Sequence, residues 1–186
     1  MSENLRNFTR AVYVMDAVVS RVPHAAWDND SPCDGWTARD VVAHQTGVFD
    51  GLAEIARTGE LAFPQMPEDR SDPVGMWQTS RDALLSALDQ QGALQHEGGY
   101  WFGPMSVDQM VSIVQWDPVI HSWDLAQAAG VEAHVPEELA AQSLATVGGM
   151  RDALAKMKLI SDAVEVAADA SVVDQLLGLA GRNPGQ

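Results

Sequence analysis

The sequence contains little cysteine and few positive charges. Cys33 is the single cysteine, so the chain can form neither an internal disulfide nor a cysteine-rich zinc finger. Lysine and arginine together number 11 against 26 acidic residues, which gives a net charge of -15. Binding to phosphate backbones or anionic lipid relies on clustered basic side chains. The composition therefore argues against nucleic acid and membrane surfaces as partners.

Long apolar runs and a secretion signal are also lacking. No apolar stretch approaches the roughly 20 residues that a membrane-spanning helix needs. The first residues lack the basic start and the apolar stretch of a secretion signal, so we expect a cytoplasmic protein. Hydrophobic residues make up 46% of the 186 residues and charged residues 20%, a globular balance. We expect a single domain over residues 1–186.

Helical spacing of apolar residues, together with capping and breaking residues, predicts a mainly all-α fold. The predicted helices run from Asn4 to about Val22, from Thr37 to about Arg57, from Pro73 through Leu88, from the capping residue Ser106 to Ala129, from about Glu137 to about Lys156, and from Val172 to Leu179. Pro118 falls inside the fourth helix and predicts a kink there.

The segments between these helices are rich in turn-forming residues. Loops are predicted over residues 28–35 and 59–72. Residues 98–104 form an aromatic segment framed by glycine and proline, and the sequence leaves a short hairpin and an irregular loop as alternatives. Residues 163–166 have the composition of a short strand.

Two residues on the fourth predicted helix have the spacing of metal ligands. Asp117 and His121 are four residues apart, which places them one turn apart on the same face. His44 lies within the second helix, and if the two helices pack together it points to the same spot. Two imidazoles and one carboxylate leave coordination positions open for water or substrate. Spacing alone leaves two other interpretations open, a hydrogen-bonded core histidine and a surface Asp–His pair.

Two sequence segments resemble motifs of a known family. They are PCDGWT at residues 32–37, continuing to DVVAH at residues 40–44, and HSWDLAQAAG at residues 121–130. These segments resemble the metal-binding domains of mycothiol-dependent maleylpyruvate isomerases, within the wider DinB-like group of thiol transferases. Residues 169–184 are similar to the ending of short actinobacterial members of that family.

The resemblance implies a fold and a ligand set. The implied fold is a DinB-like up-down-up-down four-helix bundle, here with a short C-terminal appendage. The implied ligands of one ion near the end of the bundle are His44, His121 and the residue four positions before His121. That residue is commonly Glu in the family and is Asp117 here, one methylene shorter. Zinc is the expected metal, with nickel or iron as alternatives.

Other candidate residues receive different interpretations. We expect Cys33 to be structural, Trp36 and Trp123 to be wedges at helix ends, and residues 100–102 to pack in the core rather than line a cleft. Asp124 is interpreted either as an orienting partner of a ligand or as a cap or surface residue. The remaining histidines lie near predicted loops, and we expect exposure rather than ligation for His24, His96 and His134.

The resemblance implies a metal-dependent thiol S-transferase or isomerase, in which the metal activates mycothiol or a similar low-molecular-weight thiol for attack on a small electrophile. Isomerases of the family carry a second C-terminal domain, which we do not expect here, so maleylpyruvate itself is not the expected substrate. The alternatives are a non-catalytic metal- or ligand-binding module for stress or detoxification, and a non-haem iron enzyme. A homodimer through an exposed apolar helix face also stays open.

Overall fold

A computed structural model of the protein describes residues 1–185, so Gln186, the last residue of the predicted domain, lies outside the described residues. The helices and strands are α1 Glu3–Val19, α2 Ala38–Thr58, α3 Pro73–Leu88, β1 Glu97–Tyr100, β2 Gly103–Ser106, α4 Val107–Val114, α5 Trp116–Ala129, α6 Glu137–Lys156 and α7 Val172–Leu179. Within residues 1–185, none of the helices combines the length and the apolar character that a bilayer span requires.

The first five helices share one core. Helix α1 packs on α4 and α5, and α2 packs on α3 and α5. Their buried faces supply the large side chains of this core, among them Phe8, Phe49 and Trp77. Helices α6 and α7 pack on each other, and α6 also contacts α5. They enclose a second apolar cluster that includes Leu139, Leu154 and Leu176. Helix α5 therefore lies between the two apolar clusters.

The predicted fourth helix is two helices rather than one kinked helix. Helix α4 ends at Val114, α5 begins at Trp116, and Gln115 lies between them. Proline lacks a backbone N–H, and its ring clashes with the carbonyl four residues earlier, which here belongs to Val114. Pro118 instead occupies the first turn of α5, where an N–H has no helical partner to lose. The break therefore precedes the proline by three residues, although Gln115 itself keeps helical dihedral angles (φ -59°, ψ -26°).

The strand predicted for residues 163–166 is wrong, whereas the aromatic segment does form a hairpin. Residues 163–166 lie against α7, where the Val164 N–H donates to the Gly178 carbonyl. No further strand flanks this segment within the described residues, so a ladder of hydrogen bonds cannot form. Strands β1 and β2 pair antiparallel, with Tyr100 opposite Gly103. The first helix also ends earlier than predicted, at Val19 rather than Val22.

Helix α2 begins with the predicted capping box. The Asp40 carboxylate accepts hydrogen bonds from the backbone N–H and the hydroxyl of Thr37, and it also pairs with Arg70. Partial burial raises the pKa of Asp40, but these hydrogen bonds and the Arg70 charge outweigh it and lower the pKa overall. The carboxylate is thus ionised at neutral pH, as a cap requires.

We expect Asp40→Ala to destabilise the protein by about 1 kcal/mol at pH 7, because the Thr37 N–H loses its partner. Since the folded-state pKa lies below the unfolded one, this contribution is present above the unfolded pKa and is lost as the pH falls through the folded one. Urea unfolding of both proteins at pH 7 and pH 3 measures the difference. A difference of the same size at both pH values would contradict this role for the ionised carboxylate.

Candidate metal centre

Helices α2 and α5 bring His44, Asp117 and His121 together. The His44 Nε2 lies 3.5 Å from one carboxylate oxygen of Asp117, and the His121 Nε2 lies 3.5 Å from the other. The two imidazole rings contact each other edge to face, with 4.8 Å between their centroids. Asp117 and His121 are buried, and His44 is half-buried. The two predicted helices therefore converge on these three side chains.

The donor set and its spacing fit a divalent metal ion. The two Nε2–carboxylate distances end on different oxygens of Asp117, and at 3.5 Å each is close to the about 3.4 Å that separates two ligand atoms about 2.1 Å from one tetrahedral ion. A hydrogen bond between the same groups would be shorter, at about 2.7–3.2 Å. Two imidazole nitrogens and a carboxylate oxygen suit zinc, and they leave a coordination position free. The three residues could therefore hold one ion.

Asp117 is held in its charged form. Burial by itself raises the pKa of this carboxyl group, but the charges of His44 and His121 and a hydrogen bond from the Gln45 side-chain amide lower it to about 2. Gln45 follows His44 on α2 and is fully buried. Its amide therefore positions the Asp117 carboxylate between the two imidazoles. A carboxylate that is ionised at neutral pH is the form that binds a cation.

Asp124 orients His121 from the side opposite Asp117. Its carboxylate lies 2.9 Å from the His121 Nδ1. Burial raises the pKa of Asp124, but the hydrogen bond with His121 and the charge of Arg182 hold it well below its usual range. An ionised carboxylate at this distance can accept a hydrogen bond from Nδ1–H, the tautomer that would leave the Nε2 lone pair free for a metal ion. Of the two predicted roles for Asp124, the contacts favour the orienting one, since its side chain is fully buried.

Arg182 holds the Asp124 carboxylate through two hydrogen bonds. Its Nη2 and Nε donate to the two carboxylate oxygens at 2.8 Å and 3.2 Å. Arg182 lies just after α7, so the C-terminal part of the chain reaches back to α5. The bidentate arrangement fixes both the position and the rotation of the carboxylate. Arg182 thereby supports His121 indirectly.

Cys33 lies closer to this group of residues than its loop position suggested. Its Sγ lies 3.8 Å from the His121 Nδ1, and the thiol donates to the Asp124 carboxylate at 3.2 Å. Cys33, His121 and Asp124 thus form a second set of potential metal ligands. Two observations disfavour this set. Burial, followed by the Asp124 charge, raises the pKa of the thiol to about 12, and the Arg182 guanidinium already occupies the cationic position beside it.

Trp36 covers the two histidines. Its ring lies 5.1 Å from the His44 ring and 5.9 Å from the His121 ring, stacked on the latter at 25°. Trp36 comes from the loop before α2 rather than from within a helix. It was predicted to be only a wedge at a helix end, and the structure places it in the wall of the site as well. The indole shields one side of both imidazoles from water.

A cavity of about 640 Å³ opens beside the three residues. Trp101 and Phe102 of the hairpin turn line it, so the prediction that they only pack in the core is wrong for these two. Tyr100 is buried in the core, as predicted. A cavity of this size is typical of small-molecule sites.

The other histidines lie outside the site. His24 and His134 are exposed, as predicted. His96 is half-buried instead, because it packs against Gly59 at the end of α2. None of the three belongs to a group of potential metal ligands among residues 1–185.

Comparison with known proteins identifies the family. The model of the mycothiol maleylpyruvate isomerase N-terminal domain matches residues 8–126, which include all three converging side chains. The chain belongs to this family.

The relatives and solved structures agree with this assignment. Two uncharacterized proteins of Mycobacterium tuberculosis, Rv0738 and MT0763, are 26% identical over 147 residues, which cover 73% of this chain and 72% of each relative. Crystal structures of a mycothiol-dependent maleylpyruvate isomerase and of a mutant of it are similar in fold, with TM-scores of 0.51 and 0.50 at 21% identity. The match covers 77% of this chain and 67% of theirs. The fold of this family member is therefore the mainly helical, DinB-like one that was predicted.

Sequence reasoning missed Gln45 and Arg182 as residues of the site. Gln45 had a detectable signal, because it is a polar side chain beside His44 in an otherwise apolar stretch of α2. Arg182 lies in the segment 169–184 that resembles the family's ending, but no signal there pointed to the site, since it lies 58 residues from Asp124 and beyond the segment that the mycothiol maleylpyruvate isomerase N-terminal domain model matches.

Proposed function

We propose that this protein binds one divalent metal ion through His44, Asp117 and His121 and uses it in a thiol S-transferase or isomerase reaction. The convergence of these three side chains beside an open cavity is the observation that carries the proposal. Membership of the family supports mycothiol, or a thiol like it, as the co-substrate. Zinc fits the donor set, and nickel or iron are the alternatives.

Each residue of the site has a role that its contacts support. A bound divalent ion supplies Lewis-acid chemistry that lowers the pKa of a thiol and polarises a carbonyl. Asp124 and Arg182 hold His121 in one tautomer and one orientation. Gln45 fixes the Asp117 carboxylate. Trp36 excludes water from one side of both histidines, which strengthens electrostatic interactions inside the site.

Removing the Asp117 carboxylate is expected to weaken metal binding without abolishing the fold. For Asp117→Asn, which keeps the shape but removes the charge, we expect the zinc affinity to fall about tenfold or more. Competition with a chromophoric chelator measures the affinity. The exposed Asp34→Asn is the matched control, since Asp34 borders the same cavity but contacts none of the three proposed ligands. Equal affinities for the Asp117 variant and wild type would exclude the carboxylate as a ligand.

A thiol-conjugation assay tests the reaction. Mycothiol and a panel of small electrophiles are incubated with native protein, with protein treated with a chelator, and with the treated protein after zinc is restored. We expect thiol consumption above background in the first and third samples only. Consumption that is unaffected by the chelator would contradict a metal-dependent reaction. Stoichiometric zinc with no turnover across the panel would favour the alternative of a non-catalytic metal-binding module.

A further inference from the structure

The cavity beside the proposed metal ligands is largely apolar. Next to His44 on α2, its wall continues through Val48 to the aromatic rings of Trp101 and Trp116. Pockets with such walls bind flat or apolar molecules, because burial of their surface supplies most of the affinity. A small, strongly hydrated diacid would gain little from these walls.

Two glycines on α2 build this wall. A Cβ atom at Gly47 would lie 2.5 Å from the Gln65 carbonyl oxygen, and one at Gly51 would lie 3.2 Å from the Trp101 ring. The absence of side chains at both positions lets the chain around residues 63–66 and the hairpin turn lie directly on the helix. This arrangement carries Phe63 over the cavity, although its side chain stays 67% exposed.

Lys158 also lines the cavity, in a costly backbone conformation. It is the second residue after α6 and has φ +58°, the only non-glycine residue with positive φ among residues 1–185. The Leu159 N–H donates to the Leu154 carbonyl, so Lys158 holds the position that glycine usually takes in this type of helix ending. Strain of this kind is concentrated at functional sites.

The positive charge of Lys158 stands out because the chain is strongly acidic. Lys156 and Lys158 are the only lysines of a sequence with net charge -15. The ion pairs formed within residues 1–185 involve arginine and histidine and leave Lys158 without a carboxylate partner. The other cation lining the cavity, Arg182, is already paired with Asp124. Lys158 is thus the cavity's available partner for an anion.

We propose that the cavity binds an aromatic molecule carrying a single anionic group, with the aromatic part against Trp101 and Phe63 and the anionic group paired with Lys158. This inference rests on the proposed function in one respect, namely that the aromatic molecule is the electrophile.

A pair of unreactive fluorescent probes tests the inference. Anilinonaphthalene sulfonate carries one negative charge, and phenylnaphthylamine is its neutral analogue. We expect each probe to bind folded protein at one site, whether or not metal is present. Lys158→Gln should weaken the sulfonate about two- to fivefold, as expected for a partly exposed ion pair, and should leave the neutral probe unchanged. Phe63→Ala should weaken both probes.

Two further variants control for folding and for nonspecific charge. Lys156→Gln removes the other lysine, which does not line the cavity, and should change neither affinity. Lys158→Gly should weaken the sulfonate like Lys158→Gln while raising Tm by about 2–4 °C, because glycine relieves the left-handed strain. Weaker binding by a more stable protein cannot result from unfolding.

Three results would overturn the inference: unchanged sulfonate affinity in Lys158→Gln, equal loss of both probes in that variant, or no effect of Phe63→Ala on either probe. Because the titrations need neither thiol nor metal, they fail separately from the proposed function. If the protein holds stoichiometric metal and turns over thiol but does not show this probe pattern, only the proposal of an aromatic, anionic ligand is contradicted.

Discussion

His44→Ala and His121→Ala are each expected to abolish stoichiometric metal binding. Either change removes one of the two imidazole nitrogens that face Asp117 at 3.5 Å. A site reduced to one imidazole and one carboxylate has too few protein ligands to hold zinc against a chelator. Elemental analysis of protein purified without added metal should give about one equivalent for wild type. Each variant should fall to the background level.

Matched histidine variants separate this result from a general effect of losing a histidine. His134→Ala removes an exposed histidine whose nearest acidic partner is Glu132, and it should retain the wild-type metal content. Circular dichroism should show helical content equal to wild type in all three variants. Full metal occupancy in both His44→Ala and His121→Ala would refute the ligand assignment.

Asp124→Ala is expected to cause the largest loss of stability. The change leaves the Arg182 guanidinium buried with its carboxylate partner removed, and it also strips the His121 Nδ1 of its acceptor. Removing one partner of a buried ion pair typically costs about 3–5 kcal/mol. Urea unfolding monitored by tryptophan fluorescence measures this loss. The zinc affinity of the folded variant should also fall, by about 10- to 100-fold, because His121 is no longer held in one orientation.

The double variant Asp124→Ala with Arg182→Met tests the cause of that loss. If the cost arises from an unpaired buried charge, replacing the guanidinium with an apolar side chain of similar length should recover part of the stability. The metal affinity should stay low in the double variant, since the orienting carboxylate is still missing. A single Asp124→Ala variant within about 1 kcal/mol of wild type would contradict the account.

Periodicity and local motifs predicted the helical elements and the three proposed ligands. The spacing of Asp117 and His121 places them on one helical face whatever the rest of the chain does. The capping box at Thr37 and the helix-ending glycine at position 130 could also be predicted, because each satisfies a local backbone requirement. Local rules were sufficient for these features.

The contacts that support the proposed ligands depend on tertiary packing and were harder to predict from the sequence. Arg182 reaches Asp124 only because α7 packs on α6, and nothing near position 182 indicates that partner. Cys33 approaches His121 from the loop before α2, 88 residues away in the sequence. Lys158 occupies a position that usually holds glycine, so a helix ending with positive φ could not be predicted there. Residues 163–166 have strand-like composition but lie against a helix, which cannot extend a ladder.

Anomalous diffraction at the zinc edge, from crystals of the natively purified protein, tests the central claim most directly. We predict a single peak about 2.0–2.2 Å from the Nε2 atoms of His44 and His121 and from the Asp117 carboxylate. A peak beside Cys33 and Asp124, or no peak from protein that elemental analysis shows to contain zinc, would contradict this assignment.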